Sequence, residues 1–173
     1  MKRNIEPQTY LFEDDGFVPN NPRLPFVFYR GVMDFIGIAD PEVSIEEMFR
    51  ANHWGESWRN GIYNYAHYHS SIHEAMGIAR GRARVRFGGS KGREMDLGQG
   101  DVVVLPAGTG HQALWTSPDL VVIGAYPKSG RYDLCRASKS DHDRAIDCIA
   151  NVPLPDTDPI FGSSGPLLRV WQD

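Results

Sequence analysis

The sequence predicts an all-β fold, a sandwich or barrel of short antiparallel strands with a few flanking helices. Three observations carry this. Arg82 to Phe87 alternates arginine with Ala83, Val85 and Phe87, the period of two expected of a half-buried strand. Asp101–Leu105 and Leu120–Tyr126 are nearly continuous valine-rich runs, which suit strands covered on both faces. Glycines and prolines punctuate these segments at short intervals, and few helical patterns intervene.

In chain order, Pro19 to Pro25 breaks the chain before Phe26-Val27-Phe28-Tyr29, an apolar strand. Asp40-Pro41 opens a helix with proline in its first turn and Ser44 three residues before Glu47. Ile45, Met48, Phe49 and Asn52 share one face of it, so the helix is expected to dock on something larger. After the arginine strand, Gly88, Gly89, Ser90 and Gly92 form turns, and Arg93–Leu97 returns antiparallel. Residues Asp141 to Ala150 form a second helix, capped by Ser140 or Asp141, with Ala145 and Ile149 on one face. The tail from Pro153 to Trp171 is too apolar for a free linker and is expected to wrap the barrel. The whole chain, 1–173, is assigned to one domain. Residues 1–60 form an N-terminal packing layer, 61–127 the β core, and 128–173 a helix and wrapping tail.

Composition narrows the function classes. Lys and Arg total 18 against 22 acidic residues, a formal charge of −4, so nucleic acid and anionic membranes are not expected partners. The arginine row of 82–86 has no flanking basic or aromatic platform and is read as a solvated face. No apolar run reaches the roughly 18–20 residues of a membrane-spanning helix, and Met1–Gln8 lacks the apolar stretch of a secretory signal. Cys135 and Cys148 have no metal-ligand spacing and are expected to be reduced thiols in a cytoplasmic protein. The two valine-rich runs also raise the expectation of a homodimer built by packing sheets.

Chemistry concentrates in Gly61 to Glu74. His67 and His69, two apart on a strand, present both imidazoles to one face, and a turn can return Glu74 toward them. Some forty residues on, Pro106-Ala107-Gly108-Thr109-Gly110 delivers His111. Four of the six histidines fall in this one β zone. Three imidazoles and a carboxylate suit one divalent ion such as Fe, Mn, Ni, Zn or Co. His73 is a fifth candidate. Adjacent strand residues point oppositely, so it and Glu74 cannot both be ligands from a regular strand. It is either a ligand or a group behind or outside the ligand set.

The same parity sketches a pocket for a small molecule. Tyr63 and Tyr65 share a face with the histidines, Met76 and Ile78 with Glu74, and Val85 and Phe87 face inward. Counting by twos from His111 places Ala113 and Trp115 inside as well, where Trp115 would narrow the pocket. The tyrosines serve either as packing walls or as general acids.

These residues resemble the cupin superfamily. Its first motif, G-x5-HxH-x3,4-E-x6-G, is matched by Gly61, His67, His69, Glu74 and Gly81. Its second, G-x5-PxG-x2-H-x3-N, is matched by Gly100, Pro106, Gly108 and His111, with Trp115 at the asparagine position. The whole chain further resembles functionally uncharacterised single-domain bacterial cupins. It shares with them Asp14-Asp15-Gly16, Tyr68-His69-Ser70, His73-Glu74, Pro153-Leu154-Pro155 and Gly165-Pro166-Leu167. The resemblance implies a double-stranded β-helix jelly roll with a metal held by His67, His69, Glu74 and His111 in its open mouth. It also implies turn roles for Gly81 and Gly100.

Function then has three readings. The leading one is a metal-dependent enzyme acting on a small organic molecule by dioxygenase, isomerase or decarboxylase chemistry, its catalytic residues unassigned. The others are a non-catalytic ligand-binding module and a metal-free protein with His69 or His111 as general base. A sugar-phosphate substrate would want inward cations, and Arg80 is the one whose parity suggests it.

Overall fold

The computed structural model describes residues 5–172; Met1 to Asn4, part of the Met1–Gln8 stretch read above, lie outside the described residues. Among the described residues, eleven strands form two antiparallel sheets. The first sheet contains β1 (Gln8–Tyr10), β2 (Phe26–Tyr29), β8 (Val102–Leu105), β5 (Glu74–Arg80), β10 (Val121–Pro127) and β3 (Trp54–Asn60), in that spatial order. The second contains β11 (Cys135–Arg136), β4 (His67–Tyr68), β9 (His111–Thr116), β6 (Arg82–Phe87) and β7 (Arg93–Gly98). From β4 onward the chain passes repeatedly between the sheets, with only the β6–β7 hairpin staying in one. This is the connectivity of a jelly roll.

The corners need glycine where the sequence supplies it. Gly81, between β5 and β6, has φ +73°, and a Cβ there would stand 2.8 Å from the backbone of Leu120. Gly100 has φ +89° and lies against the Met33 carbonyl.

The space between the sheets is filled by Phe26, Phe28, Ile78, Val85, Phe87, Leu97, Val103 and Val122. On the outer face of the six-stranded sheet a second core forms. There Val27, Tyr29, Ala75, Val102, Val104 and Ile123 meet Ile45 and Phe49 of α1 (Pro41–Ala51) and Ile160, Leu167 and Trp171 of the tail. Burying side chains of this size contributes about 1.5–3 kcal/mol each. Helix α1 is capped by Asp40, which accepts from the Val43 N–H at 3.1 Å. The valine-rich runs are thus covered on both faces by this chain itself. The observation that suggested a second subunit has an intramolecular explanation.

On the outside of β6, Arg84 pairs with Asp96 at 2.9 Å and Arg86 with Glu94 at 2.8 Å, both exposed cross-strand pairs. Such pairs are worth roughly 0–1 kcal/mol and mark a solvated face. Arg80 turns outward to Glu42 of α1, so the cation considered for the interior is not there. Among the described residues no helix is long and apolar enough to cross a membrane.

Helix α2 (Lys139–Ala150) starts two residues before its expected position, because Ser138 is the cap and accepts from the Asp141 N–H. Ala145 and Ile149 face inward as expected, and a short α3 (Pro166–Val170) closes the tail. His142 on α2 lies 3.0 Å from Asp143 and 2.8 Å from Asp14, tying the helix to the N-terminal segment. The Asp143 and Asp14 carboxylates raise its pKa above the ordinary imidazole value. A raised folded-state pKa contributes stability that is complete below the unfolded value and fades as pH rises through the folded one. The melting temperature of the wild type is expected to fall relative to that of His142→Gln as pH rises from about 6.5 through the raised imidazole pKa. Parallel curves would show that the clamp contributes nothing.

Candidate metal centre

Strand β4 is only two residues long, and the turn after it is held by partners distant in sequence. The Asp133 side chain accepts from the Ser70 N–H at 2.9 Å, the Ser71 N–H at 3.1 Å and the Ser70 hydroxyl at 2.5 Å. Behind the turn, the Gly108 N–H donates to the His69 carbonyl at 2.7 Å. Both straps set where His69 points. Across the β4–β9 ladder, His67 and His111 are direct partners. Glu74 opens β5 opposite Leu105 of β8, which brings its carboxylate in from the other sheet.

Each of the three imidazoles has its Nδ1 against a backbone carbonyl. The partners are Tyr65 for His67 at 2.9 Å, Asp133 for His69 at 2.5 Å and Thr109 for His111 at 3.0 Å. A carbonyl only accepts, so Nδ1 carries the proton and Nε2 keeps its lone pair. The Nε2 atoms of His69 and His111 lie 3.1 and 3.6 Å from Oε2 of Glu74. These spacings resemble ion pairs, yet Glu74 Oε2 is buried and receives no hydrogen bond. In the neutral tautomers that the carbonyls set, neither Nε2 has a proton to give; protonation of His69 would let its Nε2 donate to Glu74 instead. Ligating atoms of His69, Glu74 and His111 all lie within 4.8 Å of one another. His67 stands outside that group, its ring centroid 4.0 Å from that of His111 and 6.1 Å from that of His69.

Electrostatics separate the imidazoles. Complete burial drives the His111 pKa well below its ordinary value, reinforced by His67 and His69. Burial, the largest influence on His69 as well, pulls its pKa down. The Glu74 carboxylate and the Asp133 carbonyl act in the other direction and leave it raised. His67 is lowered, first by burial. His73 is in neither group. Its Nδ1 accepts from the Ala107 N–H at 2.9 Å, its Nε2 faces the Pro153 carbonyl at 3.1 Å, and its ring packs on Trp171. With both nitrogens committed and the ring fully buried, it is a structural pin behind the site.

A cavity of about 450 Å³ opens beside the cluster. Tyr63 and Met76 line it; Tyr65, Ile78, Phe87 and Trp115 do not. Tyr65 stacks on Tyr63 at 4.9 Å and carries the Arg136 guanidinium over its ring. Ile78 and Phe87 sit in the inter-sheet core, Phe87 against Phe26 at 4.5 Å. Trp115 is 53% exposed, beside Arg82. The alternation that placed it inside is broken by a bulge: Arg84 pairs with Trp115 but Val85 with Ala113, so Leu114 is an extra residue in β9.

Sequence reasoning missed Trp58, Tyr126, Tyr132 and Asp133. Tyr126 was within reach, because it is two steps of two from the inward Val122. Trp58 was not. Trp54 faces the outer core while Trp58 faces the cavity, and a bulge at Glu56, with φ +49°, reverses the parity between them.

The chain is 40% identical over 166 residues to the uncharacterised protein YjlB of Bacillus subtilis (strain 168), covering 96% of this chain and 97% of that one. The chain belongs to the YjlB family. Its two cupin motifs occupy β4–β5 and β8–β9 of the jelly roll, so the family is one of cupins. No family model matches the chain. Among solved structures it is similar to an 11S globulin from Wrightia tinctoria, with 19% identity, a TM-score of 0.37, and coverage of 45% of this chain and 21% of that one. It is also similar to a variant of oxalate decarboxylase from Bacillus subtilis, with 18% identity, a TM-score of 0.40, and coverage of 68% and 29%. The chain thus spans less than a third of those longer proteins, and likenesses this low bear on neither substrate nor chemistry.

Proposed function

We propose that this protein holds one divalent transition metal on His69, Glu74 and His111, with His67 as the fourth ligand, and acts on a small organic molecule in the adjoining cavity. The observation that carries the reading is Glu74 Oε2, buried without a donor and faced by two imidazole lone pairs. A buried carboxylate oxygen is costly to leave unpaired, and a cation satisfies it and both lone pairs together. Imidazole and carboxylate donors suit Mn, Fe, Co, Ni or Zn. Such an ion, when bound, supplies Lewis acidity to a substrate oxygen.

The chain's own residues supply the rest. The carbonyls of Tyr65, Asp133 and Thr109 fix the tautomers, so each neutral imidazole presents an Nε2 lone pair to the ion. The Tyr126 hydroxyl accepts from the Trp58 indole at 3.0 Å. Burial and the Glu74 charge hold its pKa far above the ordinary phenol value, so it stays protonated and orients rather than ionises.

Elemental analysis of untagged protein tests the proposal, beside a His69→Ala/His111→Ala variant. One metal per chain in the wild type and none in the variant is the expected result. Wild type that remains metal-free after reconstitution with each of the five ions would sink it and leave His69 and Glu74 as an acid–base pair.

A further inference from the structure

The walls of the cavity point to the class of substrate. Tyrosines stand on two sides of the imidazole cluster. Tyr63 packs edge-on to His67 at 5.1 Å, while Tyr126 and Tyr132 approach His69 at 6.2 and 5.2 Å. The slot between them belongs to the cavity beside the cluster. Trp58 contributes a flat surface because Gly124 has no side chain: a Cβ there would lie 2.0 Å from the indole. The indole N–H is already given to Tyr126, so Trp58 offers the cavity a π face and no donor.

Charge narrows the class further. Among the lining residues the one cation is Arg59, and its guanidinium is spent on both oxygens of Glu46, at 2.6 and 2.9 Å. Nearby Arg136 covers the Tyr65 ring. No lining side chain remains to neutralise a phosphate or a dicarboxylate. A divalent ion beside three neutral imidazoles and one carboxylate leaves a single net positive charge. That charge matches one phenolate oxygen and leaves the rest of the ligand neutral. Asn60 and the rim tyrosine hydroxyls are too few to hydrogen-bond a polyol.

We infer that the slot takes a phenol-class substrate, a flat aromatic ring gripped between Trp58 and the tyrosines, with one ring oxygen directed at the His69–Glu74–His111 cluster. The ring-binding half stands on the walls alone; the oxygen-directing half rests on the metal reading above. Aromatic faces prefer offset or edge-on partners, and the walls already pack edge-on with their own neighbours.

The test is calorimetric titration of the metal-loaded full chain with catechol, phenol, oxalate and glucose 6-phosphate. Tyr132→Ala and Trp58→Leu are titrated in parallel, their metal content checked first. Catechol is expected to bind at least about tenfold more tightly than oxalate or glucose 6-phosphate, and each variant to lose about tenfold in catechol affinity. Phenol separates the two readings. If His69→Ala/His111→Ala still binds phenol, and Trp58→Leu in that background abolishes it, the slot stands even without a metal. Absence of aromatic binding to the loaded wild type overturns the inference, as does tighter binding of either anion. Catechol affinity indifferent to both wall variants overturns it too.

Discussion

Asp133→Ala is expected to lower metal affinity by about ten- to a hundredfold while the two-sheet core remains folded. The carboxylate accepts from the Ser70 and Ser71 N–H groups and from the Ser70 hydroxyl, and its loss frees the turn carrying His69. The Asp133 carbonyl, which holds the His69 Nδ1 proton, sits on the same loop and shifts with it. Asp133→Asn keeps one oxygen for the two backbone N–H groups and should fall between. Competition with a chelator measures the affinity, and a denaturation curve measures the fold. A variant whose stability falls while its metal affinity holds would make Asp133 a structural brace only.

The largest stability loss is expected at Asp158. Its carboxylate, fully buried, accepts from the N–H groups of Ile160 at 2.7 Å, Phe161 at 3.0 Å and Leu167 at 3.1 Å, and from the Tyr29 hydroxyl. One side chain therefore pins the tail to β2. Asp158→Ala removes one acceptor shared by three N–H groups and a hydroxyl, and is expected to cost about 3–5 kcal/mol. Tyr29→Phe removes a single donor and should cost about 1 kcal/mol. Urea titration reads both. A cost for Asp158→Ala no larger than that of Tyr29→Phe would mean that water enters and replaces the carboxylate.

Much of this architecture was legible in the residues, for local reasons. Phe26–Tyr29 and Arg82–Phe87 are strands with the predicted limits, because an aromatic run and a strict alternation of two, each bounded by turn formers, have few other options. Asp40-Pro41 starts α1 because cap and proline act within one turn. His69, Glu74 and His111 meet because the HxH spacing and the glycine corners are local geometry repeated along the chain. What escaped is what local pattern does not encode. Two bulges, at Glu56 and Leu114, invert the count of twos and exchange Trp58 for Trp115 as the aromatic wall. Asp133 works partly through a backbone carbonyl, 64 residues from His69, and any residue type supplies one of those.

The tail that covers the outer core also fixes when that core can close. Tyr29 waits for Asp158, 129 residues later; Trp54 donates to the Thr157 carbonyl, 103 residues later; and Trp171 reaches back 146 residues to the Pro25 carbonyl. During synthesis the outward faces of β2, β5 and β8 therefore emerge long before their lid, carrying Val27, Ala75, Val102 and Val104 bare. Pairings this distant are slow to form, and a bare apolar sheet invites other nascent chains in the interval. The yield of folded protein should accordingly depend on temperature and on chaperone supply during translation, more than the finished molecule's stability would suggest.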